Sequence, residues 1–349
     1  MSIEFKILGR PGKDNALLVL INSGKKLYRL LFDCGEDLLK ALKYSEITSI
    51  DHLFFSHFHL DHAAGFDYFI RRNYDRNSKP VYIWGPEKTT GIIHHRLRGY
   101  TWNLVDGIPG TWYVNEISKQ NITTTKFFAP EAFAKKHRVR KIPFTGIIID
   151  NKDFIVEAVI LDHIIPSIAY RITEKDSLII DKEALLISGF QKGTWLGKVK
   201  DLSLDEKENI STGDKFYPLR DLRKLLLANR KGESISYLTD FIYNRSSRTN
   251  VNRLIKNCGI VICESQYAKK DAELAKRNFH LTTEQASSMA KIAGAEKLIL
   301  FHISERYKIK DDYLQLLNEA REIFPNTFFP EEWDHELKRI NLPQMDNLK

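Results

Sequence analysis

The densest chemistry in the sequence is Ser56-His57-Phe58-His59-Leu60-Asp61-His62, where three histidines and an aspartate fall within six residues. Imidazole nitrogen and carboxylate oxygen are ordinary ligands of zinc and its first-row neighbours. One surface histidine would carry no such meaning, but four ligand-type side chains on an HxHxDH spacing do. His57 and His59 alternate as on an extended segment, so both can face one metal. Asp61 and His62 open a helix predicted over His62–Tyr74, a few ångströms away and better placed for a second. A pair of ions separated by about 3.5–4 Å, as in two-metal hydrolases, follows from that spacing. Zinc is the default for this donor set, and manganese fits the same ligands.

Two metals need more ligands, and a recurring pattern supplies them. An apolar strand, at most one intervening residue and then a ligand-type side chain recur along the chain. Phe54-Phe55-Ser56 leads to His57, Ile160-Leu161-Asp162 to His163, and Tyr237-Leu238-Thr239 to Asp240. Leu300-Phe301 leads to His302, and Val261-Ile262-Cys263 ends at Glu264. Strands sharing a sheet edge would gather these side chains into one cluster, where ligand sites in layered folds commonly lie. Taken singly, His163 also fits a strand-end histidine bonded to a carbonyl, with Asp162 its rival, and Asp240 fits an ordinary turn. His280 stands just before Thr282-x-x-Gln285, a capping box that opens a helix Gly294 can end, and so sits in a loop with a fixed exit.

The elements that must position these residues mix strands and helices. Phe5–Leu8, Leu17–Ile21 and Leu27–Phe32, separated by glycines and serine, suit an antiparallel meander. A helix is expected over Glu36–Lys43 and a strand over Ile50–Phe55. Strands are expected at Val81–Trp84, Gly146–Ile149, Ile155–Leu161, Ala169–Ile172, Ile235–Leu238, Ile260–Cys263 and Leu298–Phe301. Helices are expected near Asn250–Asn257 and over Tyr313–Ile323. Lys88–Lys141 reads as an irregular region carrying the basic run Lys135–Lys141, and Glu174–Asp214 as a charged, loop-like arm. The mixture argues for a layered α/β fold rather than a bundle or an all-β sandwich.

The chain has 349 residues, 43% hydrophobic and 28% charged, enough for a sizeable core and unlike a disordered chain. No apolar run reaches bilayer length, and the start, MSIEFKILGR, lacks the apolar core of a secretory leader. Three cysteines without a CxxC pair suit the cytoplasm. The net charge of +8 favours polyanionic partners, nucleic acid above all.

HxHxDH followed by a distant His, Asp and His resembles the metallo-β-lactamase superfamily, and more narrowly the ribonuclease Z family that matures transfer RNA 3′ ends. The similar segments are Leu31-Phe32-Asp33-Cys34-Gly35-Glu36, Ser56–His62, Val159–Ile172, His280–Ala286 and Leu298–Tyr307. The resemblance implies one domain over 1–349, an αββα sandwich of two mixed sheets flanked by helices. Its substrate arm would span about 174–214 with a glycine-rich tip at Lys192–Lys198, whereas the stretch of about 88–141 looks expanded against the family, an insert. It implies one metal on His57, His59 and His163, the other on Asp61, His62 and His302, and Asp240 bridging both. Asp61 would orient a bridging hydroxide, His280 would act on the leaving 3′ oxygen, and Glu264 would support His280. The implied substrate is precursor transfer RNA and the implied assembly a homodimer. The sequence departs from the family at Gly9–Asn15, at Thr239-Asp240-Phe241 and at Cys263-Glu264-Ser265-Gln266. Those departures keep open a phosphodiesterase for cyclic nucleotides or other small esters, and, further off, a non-catalytic nucleic-acid-binding protein. A thioester hydrolase or lactamase has no evident use for His280 or the arm.

Overall fold

The computed structural model describes residues 3–105, 107–213 and 215–339. The chain divides into two compact units, residues 174–233 and the remainder on either side of them.

The larger unit begins with a sheet of eight strands in sequence order. They are β1 (Ile3–Gly9), β2 (Asn15–Asn22), β3 (Leu27–Phe32), β4 (His52–Phe54), β5 (Val81–Gly85), β6 (Thr111–Ile117), β7 (Asn121–Phe128) and β8 (His137–Pro143). Strand alternation divides β2 between two cores: Leu17, Val19 and Ile21 face one, Ala16 and Leu18 the other. After β9 (Ile147–Asp150), β10 (Phe154–His163) and β11 (Ile165–Glu174) the chain enters the smaller unit, with strands β12 (Ser177–Ile180), β13 (Asn209–Ser211), β14 (Phe216–Pro218) and β15 (Leu227–Arg230). It returns as β16 (Ser234–Leu238), β17 (Ile260–Glu264), β18 (Lys297–Phe301) and β19 (Thr327–Phe328). These last four strands join β9–β11 in a second sheet, ordered β19-β18-β17-β16-β11-β10-β9.

Helices cover the outer faces: α1 (Tyr44–Thr48), α2 (Leu60–Ala63), α3 (Phe66–Asn73) and α4 (Thr89–Arg98) belong to the first half. Phe55, Phe66, Phe69, Ile93, Leu97 and Trp112 form the core beneath them. The two sheets face each other across Phe32, Phe54, Tyr170, Tyr237 and Phe301. In the smaller unit lie α5 (Lys182–Ile187), α6 (Trp195–Lys200) and α7 (Leu219–Leu226); beyond it come α8 (Arg245–Leu254), α9 (Ala272–Asn278), α10 (Thr283–Ile292), α11 (Lys310–Ile323) and α12 (Asp334–Arg339). The layering is α/β/β/α, as the resemblance implies. β3 to β6 are parallel, as are β16 to β19, so in each run the carboxyl ends lie along one edge.

Four expectations change. The helix over Glu36–Lys43 is a 3₁₀ turn, Leu38–Ala41, followed by α1, because Asp37 enters with φ 61° and Leu42 leaves extended. The helix over His62–Tyr74 is broken into α2 and α3. A Cβ at Gly65 would stand 2.2 Å from the Gly35 carbonyl oxygen, so the chain bends there against its neighbour. The region Lys88–Lys141 is regular, containing α4, β6, β7 and most of β8. The arm is not loop-like, and its folded unit runs to Glu233 rather than to Asp214, which lies outside the described residues. β15 pairs with β12, and α7 adds Leu219, Leu222 and Leu226 to a core with Leu185, Trp195, Val199 and Ile210. Trp195, expected at the glycine-rich tip, is 7% exposed within that core.

Arg76 ties the amino ends of β4 and β5 together. Its guanidinium, 7% exposed, donates to the carbonyls of Thr48, Ile50, Lys79 and Pro80 and to Asn73 Oδ1. Arg76→Ala leaves several of these acceptors unpaired and should destabilise the fold by about 3–5 kcal/mol. Arg76→Lys should recover only part of this, since three donors replace five. The shift in denaturation midpoint measures both.

Candidate metal centre

β4 runs into Ser56 and His57, β10 ends at His163, Asp240 follows β16 by two residues, and His302 follows β18 directly. The strand ends are tied by backbone bonds: Asp33 N–H donates to Phe54 O (2.8 Å), Cys34 N–H to His62 O (2.8 Å) and Ile168 N–H to Ser56 O (2.9 Å). Asp33, Asp240 and His302 each leave their strand with φ between 51° and 59°, a left-handed conformation that side chains resist. In each case the turn aims the side chain inward.

The cluster that results is centred on Asp240, which is 2% exposed. Its Oδ2 lies 3.6 Å from His57 Nε2, 3.5 Å from His62 Nε2 and 3.4 Å from His163 Nε2, and Oδ1 lies 3.7 Å from His302 Nε2. Asp61 Oδ2 stands 3.2 Å from His62 Nε2 and 3.3 Å from His302 Nε2. Two sets therefore converge, His57-His59-His163-Asp240 and Asp61-His62-Asp240-His302, with donor atoms within 4.8 Å of one another in each. Asp240 belongs to both. Asp162 is exposed and outside them.

The donors fit a cation. His57 Nε2 and His62 Nε2 are buried with no hydrogen-bond partner among the described residues. Nitrogen and oxygen ligands at the 2.0–2.1 Å typical of zinc would be separated by roughly 3.3 Å in a tetrahedron, close to the spacings above. The opposite ring nitrogens are engaged: His57 Nδ1 with Ser56 Oγ (3.0 Å), His62 Nδ1 with Asp33 Oδ2 (2.8 Å) and His163 Nδ1 with the Phe279 carbonyl (2.9 Å). For His163 the carbonyl can only accept, so Nδ1 carries the proton and Nε2 keeps its lone pair. Gln266 meets His302 Nδ1 at 3.3 Å.

Charge in the cluster is set by burial and by the carboxylates of Asp240, Asp33 and Asp61. Burial, helped by the neighbouring His62, drives the His57 pKa down to about 2 and so keeps the ring neutral. Burial also lowers His59, with His163 adding to it. For His62 and His302 burial acts the same way but is outweighed, chiefly by Asp240, and both are raised. Asp240 itself is held well below its ordinary value despite burial, by His302 and His62. The site thus attracts positive charge where the ligand atoms converge.

His280 adjoins this cluster. Its Nδ1 lies 2.8 Å from Glu264 Oε2, and its ring is stacked 5.7 Å from that of His302. Burial opposes protonation of His280, but the buried Glu264 carboxylate reverses the effect and raises its pKa to about 9. Glu264 Oε1 accepts from Phe241 N–H (2.9 Å), so one carboxylate fixes both the turn at Asp240 and the His280 ring. The capping box forms as expected, with Thr282 N–H donating to Gln285 Oε1 (3.0 Å) and Gln285 N–H to Thr282 Oγ1 (3.3 Å). The preceding Phe279, at φ 62°, turns its carbonyl onto His163.

Sequence reasoning did not single out Asp33, Tyr237 or Thr239 as parts of the site. The fully buried Asp33 carboxylate accepts from Ser56 N–H (2.7 Å), Ser56 Oγ (2.7 Å) and Tyr237 OH (2.9 Å), besides meeting His62. Thr239 Oγ1 donates to Asp240 Oδ1 (2.5 Å). The signal for Asp33 was present: it too directly follows an apolar strand, Leu27–Phe32.

The layering and these strand ends define a metallo-β-lactamase fold. Human tRNase Z, short form, superposes with a TM-score of 0.52 at 17% identity, covering 88% of this chain and 94% of that one. The Bacillus subtilis metallo-β-lactamase fold protein YhfI superposes with a TM-score of 0.54 at 16% identity, covering 94% and 96%. A family profile described as Anti-Pycsar protein Apyc1 matches residues 13–179. In sequence the chain is 38% identical to ribonuclease Z of Deinococcus radiodurans over 327 residues, 94% of this chain and 97% of that protein. It is 31% identical to ribonuclease Z of Chlamydia muridarum, over 87% and 86%. The chain belongs to the ribonuclease Z family.

Removing the Asp33 carboxylate tests how the centre is held. Asp33→Ala unpairs Ser56, Tyr237 and the far side of His62, and should lower zinc affinity about 10–100-fold. Competition with a chromophoric chelator measures this; unchanged affinity would assign Asp33 to folding alone.

Proposed function

We infer that the protein is a metal-dependent endoribonuclease that removes the 3′ trailer of precursor transfer RNA. The observation that carries this reading is the convergence of two donor sets on Asp240, with His280 held beside them by Glu264, in a chain of this family. His57, His59 and His163 would hold one divalent ion, and Asp61, His62 and His302 the other, with Asp240 shared. Zinc suits these nitrogen and oxygen donors, and manganese is the alternative. When bound, such a pair acidifies water and neutralises charge on phosphoryl oxygens.

The chain's own residues divide the remaining work. Asp61, whose side chain is 42% exposed, is the open carboxylate of the cluster, suited to orienting the attacking water and taking its proton. His280 keeps a proton at neutral pH because of Glu264, and would give it to the departing 3′ oxygen. The products would be a 3′-hydroxyl transfer RNA and a 5′-phosphorylated trailer. The folded unit 174–233, with Lys192, Lys198 and Lys200 around α6, supports a grip on structured RNA through its phosphates. Three buried free cysteines accord with a cytoplasmic setting, and no described helix is long and apolar enough to cross a membrane. A homodimer is part of the same reading, from the family resemblance.

Incubation of the metal-loaded protein with a 3′-extended precursor transfer RNA and with bis(p-nitrophenyl) phosphate tests the substrate. Cleavage of both is expected; hydrolysis of the small ester alone would replace the RNA reading with a small-phosphodiester one. Chelation should abolish turnover and added zinc restore it. His57→Ala and Asp240→Ala should lose metal and activity together. His280→Ala should keep its metal while turnover falls about 10²–10⁴-fold, and metal loss there would sink the division of roles.

A further inference from the structure

The basic surplus is not spread evenly. Lys88–Lys141 contains ten Lys and Arg against three Asp and Glu, a net +7 within a chain of net +8. That stretch builds β6, β7 and most of β8, and β8 is the last strand of its sheet, with Arg138, Arg140 and Lys141 exposed.

Across this end of the sheet the register aligns one row of side chains. His52 pairs with Tyr82, Tyr82 with Tyr113, Tyr113 with Lys126, and Lys126 with His137. Trp84, on the same face as Tyr82, belongs to the core between the sheets, whereas Ile83 belongs to the core under the helices. The row therefore lies on the inter-sheet face, yet none of its rings belongs to either core and all are half-buried. The rings of His52 and Tyr82 are 5.1 Å apart, and those of Tyr82 and Tyr113 are 5.1 Å apart and stacked. Lys126 Nζ sits 5.4 Å from the Tyr113 ring and 4.2 Å from that of Phe128, which is 5.2 Å from His137. Arg140 continues the face one step over, its Nε donating to Thr124 Oγ1 at 3.3 Å.

A run of rings with cations beside it on a sheet face suits unpaired nucleotides: bases stack on the rings, and phosphates meet the cations. A duplex keeps its base faces covered and would gain only the charge. β4 begins at His52 and leads through the buried stretch Leu53–Ser56 to His57, five residues or about 17 Å at strand rise. The row therefore stands at the opposite end of the strand from the centre, and only a trailer of several nucleotides, passing around that core, spans from one to the other. We propose that the row His52-Tyr82-Tyr113-Lys126-Phe128, flanked by Arg140, binds unpaired RNA, namely the 3′ trailer. This rests on the trailer-removing reading above.

Binding of a labelled oligouridylate to the full-length, metal-loaded protein is read without cleavage. Tyr82→Ala and Tyr113→Ala should weaken it about tenfold or more. Lys126→Gln and Arg140→Gln, which disturb no core, should together lower the slope of log affinity against log salt by about 1.4. With precursor transfer RNA, the charge variants should raise KM for a long trailer, leaving kcat and the KM for a one-nucleotide trailer unchanged. Unaltered oligonucleotide affinity in the charge variants would overturn the proposal. So would equal losses for long and short trailers, or an effect confined to self-association in light scattering. Ring-dependent oligonucleotide binding by a protein that cuts no precursor would support the platform and overturn the cleavage reading instead.

Discussion

A carboxylate as deeply buried as Asp240 sits where an isolated charge is expensive, and its neighbours are six histidines, Asp61 and Glu264. Hydrogen bonding does not resolve that cost, since two of the facing imidazole nitrogens have no partner among the described residues. A cation does. The need to satisfy one buried anion from four strand ends at once explains why both sheets terminate along the same cleft. Three of the rings, those of His57, His62 and His163, have the far nitrogen fastened to a hydroxyl, a carboxylate and a carbonyl respectively. The fastening fixes which nitrogen is free before any ion arrives.

That arrangement separates two kinds of residue. The donors sit on strands whose registers are set by cores on both faces, so their positions depend on packing throughout the larger unit. The stretches proposed to grip a large substrate are separate in sequence from the donors: the unit with its own core at 174–233 and the basic strands β6–β8. On that proposal, affinity for RNA would change without disturbing the ligand geometry.

Much of this was legible because the donors follow apolar strands, a pattern that period-two alternation and residue type make visible together. The layering was legible for the same reason. What escaped notice were partners whose role depends on meeting something distant: Asp33 with His62 and Tyr237, and the carbonyl of Phe279 with His163. A backbone oxygen has no sequence signature at all. β7 and β8 were missed because Thr123-Thr124-Thr125 and Arg138-Val139-Arg140-Lys141 lack the apolar alternation of a half-buried strand. The smaller unit was missed because its core is only a few residues, Trp195, Val199 and Leu222 among them, scattered through charged sequence.

The left-handed backbone at Asp33, Asp240 and His302 has one more implication. Each of these positions would be conformationally easier for glycine, which has no side chain to serve as ligand or acceptor. The backbone is therefore strained at three of the points on which chemistry depends. Replacing any of the three by glycine would ease the backbone and remove a side chain the centre uses, so stability and chemistry pull in opposite directions at these positions.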